Sequence, residues 1–183
     1  MDILILSHFC GDFSAGDNDR FFYLASLLAE QGHDVELVTS SFFHTTKTQR
    51  SPLPDTGRVK VTSLYEPGYP KNVCLRRFYS HYAWGKNVQK YLASRKKPDM
   101  IYCAVPSLTG PLKAADYCRK NGVRFVIDVQ DLWPEAFEMV VNIPVLSTLA
   151  FAPFRFMADR IYSSADAVCA VSQTYVDRAL RVS

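Results

Sequence analysis

The sequence predicts an α/β domain on a doubly wound, mostly parallel, Rossmann-like sheet. Short apolar, β-branched runs recur along the chain. Most are followed by a segment with helical spacing, and Gly or Pro punctuates the joins. Strands and helices alternating at these lengths pair in parallel, with crossover helices on both faces of the sheet.

Each element has its own signal. Ile3–Leu6 is a four-residue apolar run, followed by the loop SHFCGDFSAGD. Asp17 or Asn18 is placed to cap the next helix, where Phe21, Leu24, Ala25 and Leu28 share one face at i, i+3, i+4, i+7. Gly32 closes that helix at C′. DVELVTS, 34–40, alternates as a strand and completes a βαβ unit. Residues 41–58 are polar, with Pro52, Pro54 and Gly57, and read as a long loop. RVKVTSLY, 58–65, is a strand and EPGYP a turn. Asn72–Arg95 has helical spacing at Leu75, Phe78, Tyr79 and Tyr82. DMIYCAV, 99–105, reads as a buried strand, Leu108–Asn121 as a helix ended by Gly122, and RFVIDVQ, 124–130, as the next strand. A loop to Pro144 precedes a helix over Val145–Ser163. ADAVCAVS is the last strand and QTYVDRALRV the last helix.

Composition sets bounds. With 183 residues, 48% hydrophobic and 21% charged, the chain suits one domain with a full core. A net charge of +3 is too mild to imply nucleic acid. MDILILSHF has no basic run and only a short apolar stretch, unlike a signal or transit peptide. The five scattered cysteines form no CxxC pair and no metal-ligand spacing, so they read as core residues in a reducing cytosol. The longest apolar stretch, 139–154, is broken by Asn142, Pro144 and Pro153 and falls short of a spanning helix.

In open parallel sheets ligands bind at the carboxyl ends of the strands. Ser7–Gly16, Ala104–Pro106, residues 128–135 (DVQDLWPE) and Ser172 fall there. The first loop has Gly11 and Gly16 but neither GxGxxG nor GK[ST]. The second strand ends Thr39-Ser40-Ser41, without an acid for a ribose. A P-loop is excluded and a dinucleotide site disfavoured. A glycine loop entering a helix N-terminus offers N–H groups to an anion or a sugar hydroxyl, or simply shapes a turn. His8 stands just past the first strand, at the ligand edge. Arg20 suits either a pyrophosphate or a pair with Asp17 or Asp19. Asp131 reads as a partner for an acceptor hydroxyl or as a helix cap before Pro134. Trp133 reads as a sugar-stacking ring or a packed loop anchor. Glu135 and Glu138, at i and i+3, read as an acid/base pair or a solvated helical turn.

SAGDNDRFFYLASLLAEQGHDVELVTS resembles the opening of the family 4-type, GT-B fold retaining glycosyltransferases, through Gly16, Arg20, Leu24, Ala25, Leu28, Gly32, His33, Val35 and Thr39. RFVIDVQDLWPEA is similar to a strand of the bacterial surface-polysaccharide transferases, and ADAVCAVSQTYVD to the strand that ends their N-terminal domain. Two features depart from the family pattern. Ala15-Gly16 stands where many relatives have two glycines, and Gln130 where many have a histidine. Gln130 donates and accepts hydrogen bonds but carries no proton, which weakens any transferred acid/base role.

The resemblance implies two Rossmann-like domains, with the sugar nucleotide bound mainly by the C-terminal one and its paired glutamates. No such pair follows within this sequence. Residues 1–183 are therefore expected to form the single N-terminal, acceptor-side domain, inactive in transfer alone. On this resemblance Gln130 and Asp131 are the catalytic candidates, and His8, Gly11, Gly16, Arg20 and Glu135 the acceptor- or phosphate-binding ones. No metal and no cofactor is expected, the nucleotide sugar being a co-substrate. The expected acceptor is a glycan, in particular one linked to a lipid pyrophosphate.

Residues 71–97 carry Arg76, Arg77, Lys86, Lys90, Lys96 and Lys97, interleaved with aromatics and interrupted by no acid. Such a helix suits an anionic membrane surface at the cytoplasmic face; otherwise it is a solvated helix with its aromatics in the core. Nucleic acid is not the expected partner. Two alternatives stand beside the transferase: a stand-alone sugar- or anion-binding module, or membrane-bound subunit, and half of a sugar-nucleotide epimerase.

Overall fold

The computed structural model describes residues 1–11, 19–51, 57–133 and 144–182. Asp2–Leu6 (β1), Asp34–Ser40 (β2), Val59–Leu64 (β5), Met100–Ala104 (β6), Arg124–Val129 (β7) and Ala167–Ala170 (β8) make one sheet in the order β5-β2-β1-β6-β7-β8. Every pairing in it is parallel. Counting only its own strands the order is 3-2-1-4-5-6, the doubly wound Rossmann arrangement. The order reverses between β1 and β6, the topological switch point beside which sheets of this kind bind ligands.

Five helices are described: Arg20–Glu30 (α1), Leu75–Ser94 (α2), Thr109–Asn121 (α3), Pro144–Tyr162 (α4) and Gln173–Leu180 (α5). Among the described residues α1 covers one face, packing Phe21 and Ala25 on Ile3, Ile5, Val35 and Leu37. The other face carries α2 to α5, with Trp84, Val88, Ala114, Ile161 and Ala179 over Leu4, Leu6, Ile101, Phe125 and Ile127. Because β1 is covered on both faces, DILIL reads as an unbroken apolar run rather than alternating.

The cap of α1 is Asp19, whose Oδ1 accepts from the N–H groups of Phe21 and Phe22 at 2.9 Å each. The expected caps, Asp17 and Asn18, lie outside the described residues. At the other end Gly32 takes φ +86°, and His33 N–H reaches Leu28 O at 3.2 Å, closing a Schellman turn.

The stretch expected as a loop over 41–58 contains a hairpin, Phe42–Phe43 (β3) against Thr48–Gln49 (β4). Two residues per strand are too few to show alternation in sequence. Buried Phe42, whose ring lies 4.9 Å from that of Tyr69, anchors the hairpin to the turn after β5. The turn passes through Lys47 at φ +62°, a left-handed backbone that few non-glycine residues adopt.

Helices α2 and α3 approach closely because of Gly110. A Cβ built there would sit 2.0 Å from the ring of Trp84, which is fully buried. We expect Gly110→Ala to cost on the order of 2 kcal/mol or more in denaturant unfolding, because the indole has no room to retreat. A cost under about 0.5 kcal/mol, the range of surface substitutions, would show that the helix pair can slide apart freely.

Candidate functional site: the carboxyl edge of the sheet

The site grows from the ends of β1, β2, β5, β6 and β7. His8, directly after β1, is buried and stacks on Trp84 of α2, with ring centroids 3.9 Å apart at 6°, and on Phe9 at 4.4 Å and 16°. Its Nε2 lies 2.7 Å from Glu66 Oε1 and its Nδ1 2.8 Å from Ser107 Oγ. Glu66 follows β5 and is fully buried. It also accepts hydrogen bonds from Ser40 Oγ at 2.6 Å and from the Ser80 hydroxyl. Burial works against its ionisation, but the His8 ring and the Ser40 and Ser80 hydroxyls outweigh it and hold the carboxyl below its ordinary range. With Glu66 ionised, Nε2 of His8 must carry a proton, and in the neutral ring Nδ1 then accepts from Ser107. His8 stands at the ligand edge as expected, but buried and with both ring nitrogens engaged. These contacts tie the edge together.

A second carboxylate anchors β7. Asp128 is fully buried, and its Oδ2 accepts from the Tyr102 hydroxyl at 2.9 Å and meets Arg20 NH2 at 2.9 Å. Its Oδ1 is buried with no hydrogen-bond partner among the described residues. Arg20 therefore pairs with Asp128, because the first turn of α1 faces the end of β7, and Asp17, one of its expected partners, lies outside the described residues. Its side chain remains 47% exposed. Gly11 is a junction. Its N–H donates to Asp19, and its carbonyl accepts from Arg50 at 2.6 Å. Beside it Cys10 is a packed thiol, pushed up to about 12 by burial and then by the charge of Asp19.

Past the end of β7, Gln130 is half-buried and Asp131 exposed. Partial loss of water around its carboxyl pushes Asp131 up, against the pull of the Arg77 charge. Trp133 is buried, 5.0 Å from the Arg77 guanidinium, and its ring lies 5.9 Å from that of His81. It is thus a packed anchor rather than an open stacking platform. Gly16, Glu135 and Glu138 lie outside the described residues. No cluster of His, Cys, Asp and Glu able to hold a metal ion occurs among the described residues.

The basic residues divide into distinct groups. Arg76, Lys86 and Lys90 are exposed on the outer face of α2, with Tyr79 and Tyr82 exposed among them at 62% and 54%. The aromatics therefore split, since Trp84 and Phe78 pack inward. Arg77 is not on that surface. It turns inward over Tyr69 at 5.5 Å and Trp133 at 5.0 Å, one position round the helix from Arg76. Lys96 and Lys97 are exposed beyond the far end of α2, where Lys97 Nζ lies 3.4 Å from Asn121 O.

A family model described as a glycosyl transferase 4-like domain matches residues 16–183. The chain belongs to that family. No curated protein sequence matches it. Among solved structures, the crystal structure of Arabidopsis thaliana UGT89C1 complexed with UDP aligns with a TM-score of 0.51 at 10% identity. It covers 97% of this chain and 46% of that one. The likeness shows the fold, that of a GT-B glycosyltransferase domain, and the chain spans about half the length of that structure. For a glycosyl transferase 4-like domain, the carboxyl edge built by His8, Glu66, Asp128 and their partners is the candidate functional surface.

Glu66, Asp128, Tyr69, His44 and His81 were not among the residues singled out from sequence. Glu66 sits in EPGYP, whose Pro and Gly mask a buried acid as turn polarity. An acid at a strand's carboxyl end, in line with the polar ends of β1 and β2, is the signal that would have found it. Since Glu66 titrates below its unfolded value of 4.5, its ionised form stabilises the fold above that pH, and the contribution is lost as pH falls through the folded value. We expect Glu66→Gln to cost about 3 kcal/mol near neutral pH and to flatten the acid limb of the stability profile. Denaturant titrations across pH check this. A variant as stable as the parent would mean that the edge does not depend on this charge.

Proposed function

We propose that the chain is the acceptor-binding half of a retaining glycosyltransferase, moving a sugar from a nucleotide sugar to a glycan on a lipid pyrophosphate at the cytoplasmic face of a membrane, in cell-surface polysaccharide synthesis. The observation that carries this reading is the carboxyl edge itself. Buried Asp128 holds Arg20 there, and Gln130 and Asp131 follow it past the end of β7, at a rim that a second domain would close. Gln130 would orient an acceptor hydroxyl by donating and accepting hydrogen bonds, and Asp131 would accept a hydrogen bond from it. The developing charge at the anomeric carbon and the leaving phosphate would be met mainly by the other half. The outer face of α2, with Tyr79 and Tyr82 exposed among Arg76, Lys86 and Lys90, supports peripheral attachment to an anionic surface. No helix of the described residues is long and apolar enough to cross a membrane.

Each basic side chain near an anionic bilayer contributes about 1 kcal/mol. We therefore expect Lys86→Glu with Lys90→Glu to weaken binding to vesicles of mixed phosphatidylcholine and phosphatidylglycerol by tenfold or more. Co-sedimentation measures it. Equal binding to pure phosphatidylcholine, or no effect of the double variant, would remove the membrane from the reading. The chain alone should show no turnover with any nucleotide sugar, and transfer by it would overturn the half-enzyme assignment.

A further inference from the structure

A pocket of about 240 Å³ lies between the β3–β4 hairpin and the start of α2, lined by Phe42, Lys47, Gln49, Gly68, Tyr69 and Arg76. Both charged groups in this lining are cations, and it contains no acid. The adjoining carboxylate, Glu66, is buried and already holds His8, Ser40 and Ser80. Lys47 reaches the pocket through its left-handed backbone at φ +62°. Its Nζ lies 5.2 Å from the Tyr69 ring centroid, and the Arg77 guanidinium 5.5 Å from the same centroid. Tyr69 is 3% exposed, and its hydroxyl is fixed 2.6 Å from His44 Nδ1. The cations act on one another. After burial, the charge of Arg77 pulls the Lys47 ammonium down, and the charges of Lys47 and Arg77 help hold His44 down at about 4. The first turn of α2 has no acidic residue, although its macrodipole favours negative charge there. Positive charge is thus gathered beside a shaped cavity, with Lys47 Nζ also donating to the His44 carbonyl.

We propose that this pocket binds a phosphate-class anion through Lys47 and Arg76, with Arg77 adding charge from its place over the Tyr69 ring. The inference deepens the acceptor reading by giving the acceptor's phosphate a seat, and it rests on that reading only for the biological source of the anion. The ligand chemistry is that of a phosphate or pyrophosphate, carried by a lipid headgroup or by a soluble phosphorylated compound.

Inorganic pyrophosphate titrated into the chain by calorimetry tests it. We expect binding that Lys47→Asn and Arg76→Gln each weaken about tenfold, while Lys120→Asn, on exposed α3 surface, leaves it unchanged. Asn tolerates the left-handed backbone at position 47, so the fold should survive, and a thermal melt verifies that. A second arm uses phosphatidylcholine vesicles carrying a polyprenyl pyrophosphate, with free pyrophosphate as competitor. Competition supports the site. Tighter binding to the vesicles then identifies a lipid headgroup as the source, and equal binding a soluble one. The proposal is overturned if pyrophosphate does not bind at roughly millimolar concentration, or if both variants bind as the parent does. Vesicle binding insensitive to both variants also overturns it and assigns the contact to Lys86 and Lys90 on the outer face of α2. A chain that binds pyrophosphate here but takes no glycan acceptor keeps the site and sinks the acceptor reading instead.

Discussion

The carboxyl edge depends on one buried contact, His8 Nε2 to Glu66 Oε1 at 2.7 Å. It joins the end of β1 to the end of β5, which are separated in the sheet by β2. Through Ser40 it takes in β2, through Ser80 and the Trp84 stack it takes in α2, and through Ser107 the turn after β6. Gln49 of the hairpin adds a bond of 2.7 Å to the Glu66 carbonyl. A carboxylate removed from water is tolerable only when its oxygens are filled, and here the filling groups come from separate segments of the chain. The requirement to satisfy one charge thus fixes where several loops lie.

The opposite edge of the sheet handles charge differently. Glu36 meets Lys60 at 2.9 Å, accepts from Thr62 at 2.7 Å and from the Tyr91 hydroxyl, and faces Arg95, which also pairs with Asp2 at 2.9 Å. There, acids and bases pair within one network, although Nη1 of Arg95 is buried without a hydrogen-bond partner among the described residues. At the carboxyl edge the buried acids are matched, but Lys47, Arg76 and Arg77 gather at the rim around an aromatic ring, and Asp128 Oδ1 is buried without a hydrogen-bond partner among the described residues.

The alternation of apolar runs with helical segments was legible because both sides of the signal are local: DILIL, DVELVTS and RFVIDV each carry their burial in their own composition. The Gly32 turn was legible for the same reason. The hairpin at Phe42–Gln49 was not, since it exists through the packing of Phe42 on Tyr69, a contact across 27 positions. Arg76 and Arg77 look alike in sequence, yet a turn of about 100° round the helix sends one to solvent and the other to Trp133.

The sequence by itself determined the doubly wound α/β class, the edge at which polar residues collect, and a resemblance that the family match bears out. Periodicity and strand-end chemistry are properties of neighbours along the chain, so they survive without coordinates. Only the tertiary structure decided what each polar residue does. His8 became a scaffold because Glu66, 58 residues away, lies beside it, and Arg20 a partner of Asp128 because α1 begins beneath the end of β7. Those roles are set by which charges meet in the low-dielectric interior, and the meeting is made by the fold rather than by the order of residues.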